Sequence, residues 1–257
     1  MTESKDVGVA LTFDYDALSL WIGTFGAKTS MISRGEFGVI GARRILSTLA
    51  SYKIPGTFYI PGHTAYAFPK SVEDIAAAGH EIGHHGWIHE IPATVSPERE
   101  RWILEKGLKA LDEIAGVRPL GYRSPASDNT PGSVPLLLDL GFEYDSSEMA
   151  NDFEPYWCRV GDSFDLDEPY RFGTPVNLVE MPVAWHLDDF PHVEFVISKV
   201  GTAAPPLFGV MSSRSVAVAE TKRMRNTEFV KLRRPLMVVR LQCWKPERRV
   251  VPGRSPL

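Results

Sequence analysis

Short apolar runs alternate with amphipathic stretches over the first two thirds of the chain, and each pattern predicts an element. Strands are predicted by the β-rich runs at residues 7–13, 57–60, 81–83, 120–122, 142–144 and 178–183. Helices are predicted at residues 38–52, 71–78, 96–115 and 130–140. The third helix has the clearest signals, because Ser96 can cap its first turn and Gly116 can end it. This alternation predicts an α/β fold with a parallel sheet and right-handed crossovers, either open or closed into a barrel.

The balance of charge changes sharply near residue 198. Residues 1–198 contain 15 Lys and Arg against 29 Asp and Glu, whereas residues 199–257 contain 13 against 3. The apolar patterning is also lost at that point, so we divide the chain into a domain at 1–198 and a basic, atypical tail at 199–257.

Composition excludes several classes of protein. The 13 Phe, 6 Trp and 8 Tyr argue against a disordered chain. The lack of an apolar run of about 18 residues argues against a membrane span. Two cysteines cannot build a disulfide framework, and the first residues lack the pattern of a secretory signal. We therefore expect a soluble, cytoplasmic domain of enzyme size without a membrane partner.

Polar side chains follow four of the predicted strands. Asp14 and Asp16 come after the first strand, a histidine cluster after the third, Arg123 after the fourth and Asp145 after the fifth. Because the carboxyl ends of parallel strands meet at one edge of a sheet or barrel, these groups are expected to share one site. Taken singly, each motif is weak, since Asp-x-Asp is more often a turn or a solvated loop.

The joint set suits a metal site. His85 and His89 are spaced four residues apart and are expected to reach one ion from adjacent turns. Asp16 would complete a His₂–carboxylate set suited to Zn²⁺ or a similar divalent cation. Asp14 would act as general base toward the metal-bound water, and Arg123 would hold Asp14 ionised and oriented.

These segments resemble the NodB-homology polysaccharide deacetylases, carbohydrate esterase family 4. The three motifs that carry the resemblance are LTFDYD at 11–16, GHHGWIHE at 83–90 and GYRSP at 121–125. Further similarity, to a subgroup with peptidoglycan-deacetylase-like proteins and cyclic imide hydrolases, lies at 61–64, 151–156, 159–162 and 187–189. The resemblance covers about residues 7–197. It implies a distorted (β/α)7 barrel and metal-assisted hydrolysis of a non-peptide C–N bond. By position, Asp14 is the base, Arg123 its orienting partner, and Asp16, His85 and His89 the metal ligands.

The tail departs from this family. Members place a Leu-Thr-x-His-Pro-like segment near the C-terminus, whose His protonates the leaving nitrogen, but the last histidine here is His192. A basic solvated extension or nucleic-acid arm is one interpretation, although we disfavour it, and a diverged folded ending is another. We favour a third hypothesis, a shift of the reading frame near residue 198, which would leave the barrel incomplete and without its general acid.

Other residues are candidates of lower rank. We place His63, Trp87 and Asp188 as pocket residues, although His63 could equally hold a loop. His84 is expected to support the ligand pair or to be structural, and Cys158 to be a packed thiol. Asp145 could contact the metal region, but we expect it to be solvated, as strand-end carboxylates usually are. With the family histidine missing, the proton donor is to be sought among His63, His186 and His192, although a loop role is preferred for the last two.

The substrate is left open between an N-acetylated sugar and a small cyclic imide or ureide. A catalytically inactive metal-binding barrel is the alternative to an enzyme, because the general-acid His is missing. Homo-oligomerisation is also left open.

Overall fold

A computed structural model describes residues 10–151, 154–184, 187–190 and 240–241. The chain divides into two compact units, one formed by residues 1–182 and 242–257 and the other by residues 183–241. The predicted boundary at residue 198 and nearly all of the basic tail lie outside the described residues, so the division into 1–198 and 199–257 stays a prediction.

The first unit alternates strands with helices, as the apolar pattern predicts. Its strands are β1 Leu11–Asp14, β2 Thr57–Ile60, β3 Glu81–His84, β4 Gly121–Tyr122, β5 Tyr144–Asp145, β6 Tyr156–Val160 and β7 Thr174–Glu180. Its α-helices are α1 Thr29–Tyr52, α2 Gly62–Ala67, α3 Pro69–Ala77, α4 Pro97–Ala115 and α5 Ser133–Asp139. Single turns of other helix types are found at Leu20–Thr24, Pro92–Thr94 and Pro125–Ser127. A two-residue strand, β8 Arg240–Leu241, belongs to the second unit.

The strands of the first unit form one sheet in the order β6-β7-β5-β4-β3-β2-β1. Neighbours from β1 through β5 to β7 are parallel, and β6 is antiparallel to β7 at the edge. Thr12 pairs with Thr57 and Thr57 with Glu81, so the carboxyl ends of the first three strands lie level. The predicted α/β class with a parallel sheet is confirmed.

Two apolar clusters pack helices against the sheet. The first is centred on Phe58, Ile60 and Ile75, and the second on Leu104, Leu137 and Leu178. Helix α4 is capped as predicted, because the Ser96 hydroxyl accepts a hydrogen bond from the Arg99 N–H and Gly116 adopts a φ of 64°.

Several predicted bounds were wrong. Helix α1 begins nine residues before the predicted start at 38, and the only buried residue of this added first part is Gly35, which gives no apolar signal. A Cβ on Gly35 would lie 2.4 Å from the carbonyl oxygen of Ala17, so this close packing needs glycine. Helix α2, which opens at the Pro61-Gly62 pair directly after β2, was not predicted. Strand β6 was missed, and β7 starts four residues earlier than predicted.

No helix in the described part of the chain has the length and apolar character needed to cross a membrane.

Candidate metal centre and catalytic residues

The structure brings the predicted metal ligands together at the carboxyl ends of the strands. Asp14 is the last residue of β1 and Asp16 follows two residues later, whereas His85 directly follows β3. One potential ligand atom from each of Asp16, His85 and His89 lies within 4.8 Å of the other two. The ring Nε2 atoms of His85 and His89 lie 3.4 and 3.6 Å from the two carboxylate oxygens of Asp16.

The two histidines meet through a loop rather than through adjacent helical turns. Our expectation from their four-residue spacing was wrong, because residues 85–91 contain no helix. Gly86 and His89 both adopt positive φ, 75° and 62°, and these left-handed residues fold the segment back on itself. The imidazole rings consequently lie nearly perpendicular, with centroids 4.9 Å apart.

A hydrogen bond at Nδ1 shows which ring nitrogen of His85 carries the proton. Nδ1 of His85 lies 2.7 Å from the carbonyl oxygen of Arg123. A carbonyl can only accept, so Nδ1 is the donor and Nε2 of the neutral ring holds a lone pair. Burial lowers the pKa of His85 to about 3, which keeps the ring neutral. Nε2 is buried and has no hydrogen-bond partner among the described residues, although it faces a carboxylate oxygen of Asp16.

This arrangement fits a divalent cation. A neutral imidazole lone pair and a carboxylate oxygen repel each other at 3.4 Å unless a cation lies between them. Two imidazole nitrogens with one carboxylate form a donor set that Zn²⁺ uses in proteins, with coordination positions left for water or substrate.

Arg123 holds Asp14 at the side of this triad. Its guanidinium donates to a carboxylate oxygen of Asp14 at 2.7 Å. The same group donates to the hydroxyl of Thr12 and to the carbonyl and hydroxyl oxygens of Ser146. It also lies 4.0 Å above the ring of Tyr59. The guanidinium is therefore fixed from several sides, and it favours the ionised form of Asp14.

His63 lies on a short chain of hydroxyl groups. The Thr64 hydroxyl donates to the carbonyl oxygen of Asp16, and Ser19 Oγ lies 2.7 Å from Thr64 Oγ1 and 3.1 Å from His63 Nδ1. Since each hydroxyl has one hydrogen, Ser19 donates to Thr64 and accepts from His63. Burial lowers the pKa of His63. Trp87 contacts the His63 ring edge to face, with centroids 6.0 Å apart.

The remaining candidates are His84, Asp188, His186 and His192. His84 is buried, with Nε2 bonded to the carbonyl oxygen of Leu104, and its pKa falls to about 4, which fits the expected structural role. Asp188 is buried in the second unit, where it accepts a hydrogen bond from the Phe190 N–H, and its place in the pocket stays a prediction. His186 and His192 lie outside the described residues.

A buried acidic cluster was not anticipated. We expected Asp145 to be solvated, but it is fully buried and forms a cluster with Cys158 and Glu180. Asn129 and the Ser147 hydroxyl donate to its carboxylate. Burial raises the pKa of both Asp145 and Glu180, and Cys158 is a packed thiol, as expected. Signals of this burial in the sequence were weak, because Asp145 ends a strand of only two residues.

Comparison with known proteins assigns the family. The family model described as polysaccharide deacetylase matches residues 3–144, more than half of the chain, and the chain belongs to this family. It is 36% identical over 226 residues to a peptidoglycan deacetylase of Helicobacter pylori, with 83% of this chain and 75% of that protein covered. It is 28% identical to a peptidoglycan deacetylase-like protein of Gibberella zeae, with 75% of this chain and 62% of that protein covered.

Solved structures agree with this assignment. A crystal structure assigned as a polysaccharide deacetylase from Mycobacterium smegmatis is 38% identical, with a TM-score of 0.70 over 83% of this chain and 72% of that one. The PuuE allantoinase structure superposes with a TM-score of 0.62 at 20% identity, over 84% of this chain and 73% of that one, and this likeness concerns the fold alone. The predicted family and the distorted (β/α) barrel class are confirmed.

Proposed function

We propose that this protein is a metal-dependent hydrolase that removes an acetyl group from the nitrogen of an N-acetylated sugar. The observation that carries the proposal is the convergence of Asp16, His85 and His89, with the buried Nε2 lone pair of His85 facing the Asp16 carboxylate. The similarity to peptidoglycan deacetylases supports an N-acetylated glycan over a cyclic imide.

Each residue of the site has a distinct part in this chemistry. A divalent cation held by Asp16, His85 and His89, Zn²⁺ in our proposal, would polarise the amide carbonyl and favour ionisation of a water molecule. Asp14 accepts the proton of the attacking water, because Arg123 holds its carboxylate ionised and in place.

The hydrolysis balances with one water molecule. A C–O bond forms at the amide carbon, the C–N bond breaks, and the products are acetate and an amine. The leaving nitrogen takes up a proton on departure. We propose His63 as the donor of that proton, because the hydroxyl chain of Ser19 and Thr64 links its ring to the carbonyl oxygen of Asp16, one of the candidate metal ligands.

The test uses the full chain, stripped of metal by a chelator and reloaded with Zn²⁺. Acetate release is measured from N-acetylated chito-oligomers, and ring opening from succinimide. We expect acetate release that needs the added metal and is lost in Asp14→Asn. Asp112→Asn serves as the control, since Asp112 is an exposed carboxylate on helix α4 and should leave the rate unchanged.

Two results would count against the proposal. Ring opening of succinimide without acetate release would replace the sugar substrate by a cyclic imide. Stoichiometric metal binding without turnover of either compound would leave an inactive metal-binding barrel.

A further inference from the structure

The turn between β1 and α1 contacts the loop that carries the second metal-binding histidine. Residues Leu20–Thr24 form a single turn of π-helix, a geometry often found where side chains are positioned for function. A Cβ on Gly23 would lie only 1.7 Å from the carbonyl oxygen of Ile88, so a side chain at this position is excluded. Glycine therefore lets the turn approach the backbone directly before His89.

Thr24, the next residue, forms hydrogen bonds with two atoms of His89. Its hydroxyl donates to the carbonyl oxygen of His89 at 2.8 Å, and the same oxygen lies 2.6 Å from Nδ1 of that ring. Because the single hydroxyl hydrogen is already donated to the carbonyl, the ring nitrogen must be the donor in the second bond. Nδ1 thus carries the proton, and Nε2 directs its lone pair toward the Asp16 carboxylate, 3.6 Å away.

The two metal-binding histidines are held in different ways. A main-chain carbonyl, that of Arg123, fixes the proton of His85 on Nδ1. The proton of His89 is fixed on Nδ1 by a side chain, because the Thr24 hydroxyl accepts the hydrogen bond from that nitrogen. His89 also has a left-handed backbone, which a β-carbon disfavours, and the bond from Thr24 to its carbonyl restrains that conformation.

We propose that Thr24 is a positioning residue for His89, which it prepares to bind a divalent cation by fixing both the ring tautomer and the backbone. Gly23 makes this contact possible by allowing the turn to lie against Ile88. The inference rests on the proposed metal dependence and deepens it, because it assigns a part of the cation affinity to a residue that is not itself a ligand. Loss of such a partner of a ligating histidine generally weakens metal binding by about 10- to 100-fold.

Two substitutions separate the hydroxyl from the shape of the side chain. Thr24→Val keeps the branched shape and removes the hydrogen bonds, whereas Thr24→Ser keeps the hydroxyl. Thr48→Val is the matched control, because the Thr48 hydroxyl also donates to a main-chain carbonyl, that of Arg44, but on an exposed part of helix α1.

The measurement is the dissociation constant for Zn²⁺ and Co²⁺, obtained by competition with a coloured chelator, together with the visible spectrum of the Co²⁺-loaded chain. We expect about 10- to 100-fold weaker binding and a changed Co²⁺ spectrum in Thr24→Val. Binding by Thr24→Ser and Thr48→Val should stay close to that of the wild type. Melting of each metal-free variant shows whether it is folded.

The outcomes distinguish this inference from the proposed function. Wild-type binding that Asp16→Asn abolishes, combined with unchanged binding in Thr24→Val, would overturn the inference and leave the metal site intact. Equal weakening in Thr24→Val and Thr24→Ser would also overturn it, because the hydroxyl would then not be the cause. A wild-type chain that binds neither cation at this site would overturn both proposals.

Discussion

The contact between Arg123 and Asp14 can be tested without any assay of activity. The perturbation is a double-mutant cycle of Asp14→Asn and Arg123→Met, and the quantity measured is their coupling in the free energy of unfolding. The Arg123 side chain is 1% exposed and the Asp14 side chain 22%, with 2.7 Å between donor and acceptor. A charge-assisted hydrogen bond is worth about 1.5–3 kcal/mol, and partial solvation of Asp14 favours the lower half of this range.

The single substitution Arg123→Met should cost more than this coupling. It also removes the donors that serve Thr12 and Ser146, so buried oxygen atoms lose their partners. Removing one member of a buried charged network costs about 3–5 kcal/mol. We therefore expect a total loss of about that size in Arg123→Met, of which about 1.5–2 kcal/mol is coupling to Asp14.

Urea unfolding of the metal-free chain measures both quantities. The surface pair of Arg101 and Asp139 provides a matched control, because its separation is also 2.7 Å whereas its side chains are 45% and 62% exposed. A cycle of Arg101→Met and Asp139→Asn should give a coupling of at most about 0.5–1 kcal/mol. A buried pair that couples no more strongly than this surface pair would refute the reasoning.

Three further predictions concern neighbouring groups. Burial raises the pKa of Glu180 in the folded state. The stability that protonation of Glu180 contributes is therefore fully present below the unfolded-state pKa of about 4, and it is lost as the pH rises through the folded-state pKa. Glu180→Gln should therefore gain stability relative to the wild type in urea unfolding between about pH 4 and pH 8, and a constant difference would contradict this. Ser146→Ala removes an acceptor of Arg123 and should lower kcat about tenfold with KM nearly unchanged, whereas a change confined to KM would contradict a positioning role. His63→Gln should lower kcat and remove an ionisation from the pH–rate profile, and an unchanged profile would exclude His63 as proton donor.

The sequence predicted which residues meet because the rule behind that prediction is geometric. Parallel strands in register present their carboxyl ends at one edge, so Asp14, Asp16 and His85 share a site whatever the lengths of the helices between them. The chemistry of these side chains indicated their roles, and the resemblance to a known family implies the same roles by position.

The supports of the site could not be predicted in this way. Thr24 lies in a π-helical turn that has no apolar period, and its contact with His89 depends on two loops far apart in the chain. Asp145 is buried with hydrogen bonds from Asn129 and Ser147, which lie in loops that carry no strong pattern. The four-residue spacing of His85 and His89 suggested helical turns, but positive φ angles produce the same convergence without a helix.

Arg123 supports both the candidate base, Asp14, and one candidate metal ligand, His85, through different parts of the same residue. Its side chain orients Asp14, and its main-chain carbonyl fixes the proton of His85 on Nδ1. A substitution removes the first contact and keeps the second, so Arg123→Met should lose most of its activity while it binds Zn²⁺ nearly as well as the wild type. Chelator competition on a folded variant measures the Zn²⁺ affinity. If that affinity instead fell together with the rate, the candidate base and the candidate metal ligands would depend on the same side-chain contacts.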